Sequence, residues 1–249
     1  MDLSPQEIRQ VFVSLFVLII SVALHEFGHA WMADHLGDDT PRRQGRVTLN
    51  PIAHADPIGT LLLPVLGSIH ALGGGGGGGF GWGKPVQWNP SRIRRGIKMS
   101  TANILVSLAG PGMNLLLATF LALVHAILLW QGVVTIYELD ANGRALVDAS
   151  GYLVVHPATM IFFFAVTTNF VLFFFNLIPC PPLDGGHILQ AFMPYRHRDK
   201  YDSIARFGPF LLLAIMLIPQ LRWIFTTPAM WCMKSVYQAF GALFGIHIL

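Results

Sequence analysis

Residues 25 to 29 read His-Glu-Phe-Gly-His. On a helix, positions i and i+4 share a face, so both imidazoles can reach one Zn2+. The Glu26 carboxylate between them is then placed to take a proton from water that the metal activates. The five-residue pattern alone also arises by chance in soluble helices. Its setting sharpens it: the motif continues an apolar run, with no other charged residue between Arg9 and Asp34. An ionisable group inside a membrane helix costs at least ~2.5 kcal/mol on insertion scales. Three such groups within five residues are hard to explain as packing, the competing reading being a polar seam between helices.

A catalytic zinc takes three protein ligands and keeps one position for water. The third must come from elsewhere in the chain, and Asp184 is the best candidate. It ends the run Asn176-Leu-Ile-Pro-Cys-Pro-Pro-Leu-Asp184, with two glycines following. Pro179, Pro181 and Pro182 cannot continue a helix, so the chain unwinds right after an apolar span. Irregular backbone at that depth is tolerated only where it is buried in protein or lines a water-filled cavity. An ordinary Pro- and Gly-rich surface turn is the alternative. His54, Asp56, Cys180 and His187 are rival ligands, whereas His125, His156 and His247 read as interfacial or packed.

The elements that must position these groups are apolar. Of the 249 residues, 53% are hydrophobic and 12% charged, against about 25% charged in a soluble domain. Asp2 and Glu7 offset Arg9, unlike the basic start of a signal peptide, so the first run is expected to be a retained helix. Cys180 and Cys232 make no disulfide framework. The basic residues sit in short loops, which signals topology and not nucleic acid. Spanning the hydrocarbon takes about 20 apolar residues. Val11 to Ala33, Thr101 to Trp130, Val154 to Ile178 and Phe207 to Phe225 qualify, with a less pronounced fifth run from Ala229 to Leu249.

Pro57 to Leu72 is shorter and carries Pro64 and Gly67. The seven glycines from Gly73 to Gly79 read as a flexible linker. Phe80 to Trp88 is strand-like, and Pro85 inside it restricts it to an edge strand or hairpin. Asp140 to Ser150 reads as a polar loop, and no internal repeat stands out. The expected fold is an all-α polytopic membrane protein in one domain over residues 1–249. Its core covers about 8–190 and its C-terminal helices 203–249. It has about five transmembrane helices, a re-entrant segment and a short membrane-associated β-hairpin.

Re-entrance follows from the pairing. If Pro57 to Leu72 crossed fully, alternation would put the end of the first span and Asp184 on opposite faces. If it dips in and returns, both fall on one face. That face then holds twelve Lys and Arg residues, from Arg42 to Arg206, against Arg9, Arg144 and Arg222 on the other, with Lys234 inside the last run. The bias places the basic loops, and the site, toward the cytoplasm.

HEFGH in one span and NLIPCPPLDGG after another resemble the site-2 protease family of intramembrane metalloproteases. Gly45–Pro51 (GRVTLNP), His54–Thr60 (HADPIGT), Gly81–Val86 (GWGKPV) and Ala109–Asn114 (AGPGMN) look like further blocks of its compact bacterial and archaeal branch. The resemblance implies one Zn2+ per chain on His25, His29 and Asp184, with Glu26 as catalytic base. It also implies that Asn176, and less directly Asn114, hold substrate. The expected form is the compact one, without a PDZ domain or a CBS pair. The expected substrate is a transmembrane segment of another protein, in a prokaryotic inner membrane. An unwound substrate strand would add to the edge run that begins Gly81, Trp82 and Gly83. The rivals are a non-catalytic metal-binding membrane module and a metal transporter; the transporter would usually show internal repeats.

Overall fold

The computed structural model describes residues 5–72, 81–148 and 151–248. The glycine run and Phe80 lie outside them. The first helix, α1, covers Pro5–His35. Two single turns follow, α2 (Thr40–Arg43) and α3 (Pro51–His54). A π-helical stretch, Pro57–Leu62, then runs into α4 (Leu63–Leu72). After the long α5 (Met99–Trp130) come α6 (Pro157–Asn176) and α7 (Asp184–Phe192). The chain ends with α8 (Arg198–Ala205), α9 (Gly208–Leu217) and α10 (Trp223–Phe244). The protein is mostly helical, and no extended strand forms among the described residues.

Among the described residues, three helices are long and apolar enough to cross a bilayer: Ile8–His35, Met99–Trp130 and Pro157–Asn176. Small residues set their spacing. Gly28 of α1 lies so close to α5 that a Cβ there would sit 2.7 Å from Met113 Cγ. Ala118, Ala122 and Ala126, one helical turn apart on α5, are fully buried against Val166 and Phe170 of α6 and Ala229, Met233 and Tyr237 of α10. Close backbone approach of this kind is the usual means of helix association where lipid removes the hydrophobic driving force.

The fourth expected span is corrected. Phe207 to Phe225 is not one helix: α9 ends at Leu217, Ile218 is extended and Pro219 starts a separate 3-10 turn. Ten residues of α9 reach only about 15 Å, half the hydrocarbon thickness. Leu212, Ile215 and Phe225 pack with Phe175 and Cys180 at the C-terminal end of α6. From there α10 runs back along α5 and α6, until the Tyr237 hydroxyl is 3.0 Å from His125 Nδ1. His125 Nε2 lies 3.1 Å from Thr159 Oγ1, near the start of α6. Arg222 therefore lies at the α6 C-terminal end, not the opposite one.

The expected β-hairpin is also corrected. Residues 81–88 are extended but form no strand. Two bonds pin the run instead: Trp82 N donates to Gly59 O at 3.1 Å and Lys84 N to His54 O at 2.9 Å. Pro85 has no N–H with which to continue a ladder. The tie extends to the basic loops, since Arg94 N donates to Leu36 O at 3.0 Å. The C-terminal end of α1 and the approach to α5 are thus in direct contact.

The connection from α5 to α6 is more ordered than a polar loop. Its sequence repeats every eight residues: Tyr137-Glu-Leu-Asp, Ala145-Leu-Val-Asp, Leu153-Val-Val-His. Isolated bridges join Tyr137 to Val155, Leu139 to Ala145 and Val147 to Leu153. At the centre, Glu138 N donates to Val154 O, Val154 N to Leu146 O, and Leu146 N to Glu138 O, at 2.8 to 2.9 Å. Each segment pairs with both others, which closes a three-sided ring.

Candidate metal centre

Helical spacing brings His25 and His29 together as their sequence separation requires. Their ring centroids are 4.7 Å apart, edge to face, and their Nε2 atoms 3.0 Å apart. The third group is Asp184, the first residue of α7. One carboxylate oxygen lies 3.3 Å from His25 Nε2 and the other 3.3 Å from His29 Nε2. The proline-rich linker and two glycines deliver it. A Cβ on Gly186 would come 2.5 Å from Pro181 N, and Gly185 packs just as tightly on the carbonyls of Leu177 and Ile178. Only glycine allows the chain to double back this closely after α6.

The donor chemistry fits a cation. His25 Nδ1 is 2.8 Å from Asn114 Oδ1, and His29 Nδ1 is 2.7 Å from Val106 O. Both partners are acceptors, so each Nδ1 carries the ring's one hydrogen and each Nε2 presents a bare lone pair. These lone pairs face each other and a carboxylate whose Oδ2 is buried without a hydrogen-bond partner. Two ring nitrogens and a carboxylate thus converge with separations of 3.0 to 3.3 Å. Such an arrangement repels itself unless a cation or proton joins it. On the α5 side, Gly110 closes the space: a Cβ there would collide with His29 Nε2 and lie 2.8 Å from His25 Nε2.

Among the described residues, His25, His29 and Asp184 are the one group of three or more metal-ligating side chains that come together. The rival ligands are occupied elsewhere. Asp56 Oδ1 caps the π-helix, accepting from Ile58 N and Gly59 N. Cys180 Sγ bonds to main-chain carbonyls. His54 is buried, with Nε2 2.9 Å from Thr48 O and Nδ1 without a partner among the described residues. Burial holds its pKa below the ordinary histidine value. His187 has no place in the cluster.

Glu26 is buried beside the extended run, where a Cβ on Gly83 would come 2.9 Å from its Cγ and 3.0 Å from Oε1. Gly81 and the Trp82 indole pack against Gly59. Arg46 is buried too, and its guanidinium donates to Ala53 O and Lys84 O. Burial lowers its pKa while the charge of Glu26 works the other way. Asn176 turns back on its own helix, donating to Leu172 O at 2.9 Å. Asn114 is fully buried and spends its side chain on His25, Ser21 and Asn169.

Sequence reasoning passed over Gly110, Ser21 and Asn169. A signal for Asn169 did exist, as a polar residue in the middle of an otherwise Phe-rich span.

The comparisons agree with this chemistry. Residues 13–218 match the model of peptidase family M50. The candidate zinc metalloprotease YwhC of Bacillus subtilis is 32% identical over 92% of this chain and 91% of its own length. The candidate zinc metalloproteases Rip2 of Mycolicibacterium smegmatis and Mycobacterium tuberculosis are each 31% identical over 86% of this chain and 72% of theirs. No solved structure matches significantly. The chain belongs to peptidase family M50, the site-2 protease family of zinc metalloproteases.

Proposed function

We propose that this M50 peptidase is an intramembrane endopeptidase, with one zinc per chain, that hydrolyses peptide bonds in or near the transmembrane segments of other proteins. The observation that carries this reading is the convergence of His25 Nε2, His29 Nε2 and the Asp184 carboxylate at the edge of apolar helices. These three residues would hold the ion. Zinc, when bound, supplies Lewis acidity toward water and toward a scissile carbonyl. Glu26 takes the proton of the attacking water and passes it to the leaving amine. The positive charge of Arg46 and the carboxylate of Glu26 attract one another across the site.

The extended run presents the substrate. Trp82 and Lys84 point their main-chain groups inward, to Gly59, Thr60, His54 and Arg46. Alternation of extended backbone turns those of Gly83 the other way, next to Glu26, where an unwound substrate strand can add to them. Asn176 lies at the mouth of the Asp184 linker and is offered as a second contact to substrate main chain.

The membrane arrangement proposed is four crossings, by α1, α5, α6 and α10, with Pro57–Leu72 re-entrant. The bond between Leu36 and Arg94 supports re-entrance, because the loops on either side of that segment touch. With Arg222 moved, thirteen Lys and Arg residues share the end that holds the metal centre, against Arg9 and Arg144 at the other, and Lys234 lies within α10. That bias supports a site facing the cytoplasm of a prokaryotic cell.

Glu26→Gln keeps the shape of the side chain but cannot accept the proton. Cleavage of a panel of single-span substrates by the purified variant should fall by at least ~10²-fold, with zinc still near one per chain. Near-normal cleavage would end this mechanism. Loss of the zinc instead would favour a metal-binding module in which Glu26 is a ligand.

A further inference from the structure

We propose that Asn169 and Ser21, acting through Asn114, fix the tautomer of His25 and thereby hold its Nε2 lone pair in the ligand position. This rests on the zinc reading above. The assignment starts from groups that can only accept. Asn169 places one amide atom 2.9 Å from Ala165 O, so that atom is Nδ2. The same nitrogen is 2.9 Å from Ser21 Oγ, whose own hydrogen goes to Val17 O at 2.7 Å. Both hydrogens of Asn169 are then used, and its Oδ1 faces Asn114.

Asn114 repeats the pattern. Its Nδ2 donates to Ser21 O at 3.2 Å and to Asn169 Oδ1 at 3.0 Å. Both of its hydrogens are used, and Oδ1 is left for His25 Nδ1 at 2.8 Å. An amide oxygen cannot donate, so Nδ1 must carry the hydrogen and Nε2 cannot. The direction of every bond thus follows from three main-chain carbonyls on α1 and α6, read through two amides.

The network is costly to place and has nothing unsatisfied. Ser21, Asn114 and Asn169 are at most 1% exposed and join three membrane helices, α1, α5 and α6. Two side-chain amides in an apolar interior are tolerated only if fully paired. Pairing alone, though, would not require the oxygen to end on a ligand. His29 needs no such device, because the main-chain carbonyl of Val106 sets its tautomer directly. His25 is the ligand whose orientation depends on side chains, so Asn114, Asn169 and Ser21 are positioning residues.

The test uses the full chain in detergent, with two readouts. Nitrogen-15 histidine spectra of the metal-free protein at mildly alkaline pH report which ring nitrogen of His25 is protonated. Chelator competition reports zinc affinity. Asn169→Leu should release the tautomer and weaken zinc by about 10-fold, and Asn114→Leu by ~10–100-fold, the usual scale for a lost outer partner of a ligand. Asn114→Asp, which keeps an acceptor toward Nδ1, should recover most of the affinity lost in Asn114→Leu. A purely structural role would instead lower the melting temperature without moving the tautomer.

Ser21→Ala is a milder change in the same network and should shift both readouts in the same direction, should a Leu variant not fold. Zinc affinity and His25 tautomer unchanged in Asn169→Leu and Ser21→Ala would overturn the proposal while leaving the metal centre intact. A wild-type protein that shows the Nδ1–H tautomer but binds no zinc would sink the zinc reading, and with it the ligand role of the network.

Discussion

Gly110 shows how much of the centre depends on a missing atom. Two imidazoles can approach α5 only because position 110 has no Cβ, which would occupy the space in front of both Nε2 atoms. Gly110→Ala is therefore a direct probe. Alanine favours a helix interior by about 1 kcal/mol over glycine, which offsets part of the cost of crowding the two rings. The variant's zinc affinity should drop by at least ~10-fold, the scale of a disturbed ligand shell. An Ala variant that binds zinc like the parent would mean that the metal sits away from this face. At this scale the sequence was most readable where spacing is local. The i, i+4 pair and the proline-rich approach to Asp184 could be read directly. Asn114 and Asn169 could not be assigned to His25, because 89 residues separate His25 from Asn114, and Asn169 is reached only through Asn114.

Among the elements, the apolar runs predicted α1, α5 and α6 and misjudged the C-terminal third. Hydropathy reads straight through Phe207 to Phe225, but Pro219 and an extended Ile218 stop α9 after ten residues. The difference is measurable. Five full crossings put the turn at Gln220 outside the cell; the packing of Phe225 on Phe175 and Cys180 puts it at the end of the metal centre, which is the inside in the proposed orientation. A single cysteine at the exposed Gln220, in a background lacking Cys180 and Cys232, should be protected from an impermeant thiol reagent in sealed cells. Cysteines in the loops of Arg42 and Arg94 should be protected as well, while one at Asn142 should label at once. Labelling at Gln220 would restore a full crossing by α9, and labelling of only one basic loop would remove the re-entrant segment. The Phe80 to Trp88 run misled for a different reason. Its residue types suit a strand, but Pro85 and the packing of Gly81 and Trp82 on Gly59 fix residues 81–88 as a single pinned strap.

Across the whole molecule, the metal centre is a joint between halves distant in sequence. α1 supplies two of the candidate ligands, α7 the third, and α5 closes the space in front of them. Zinc that binds this joint only when it is assembled must stabilise the fold, by about 2.7 kcal/mol at free zinc 100 times its Kd. Stripping the metal with a chelator should lower the melting temperature by roughly 5–10 °C. His25→Ala should melt at the same temperature with or without chelator. A parent protein indifferent to the chelator would mean that the ion is not part of the native joint. The ring between α5 and α6 holds a consequence of another kind, for insertions and deletions. External loops ordinarily accept length changes freely. Here every segment is both donor and acceptor for its neighbours, and the period is eight residues. One inserted residue inside a segment would exchange its two faces. Removal of a whole unit would leave a bare two-stranded hairpin, marginal on its own. This exposed connection is therefore expected to be among the least forgiving of the described segments to changes in length.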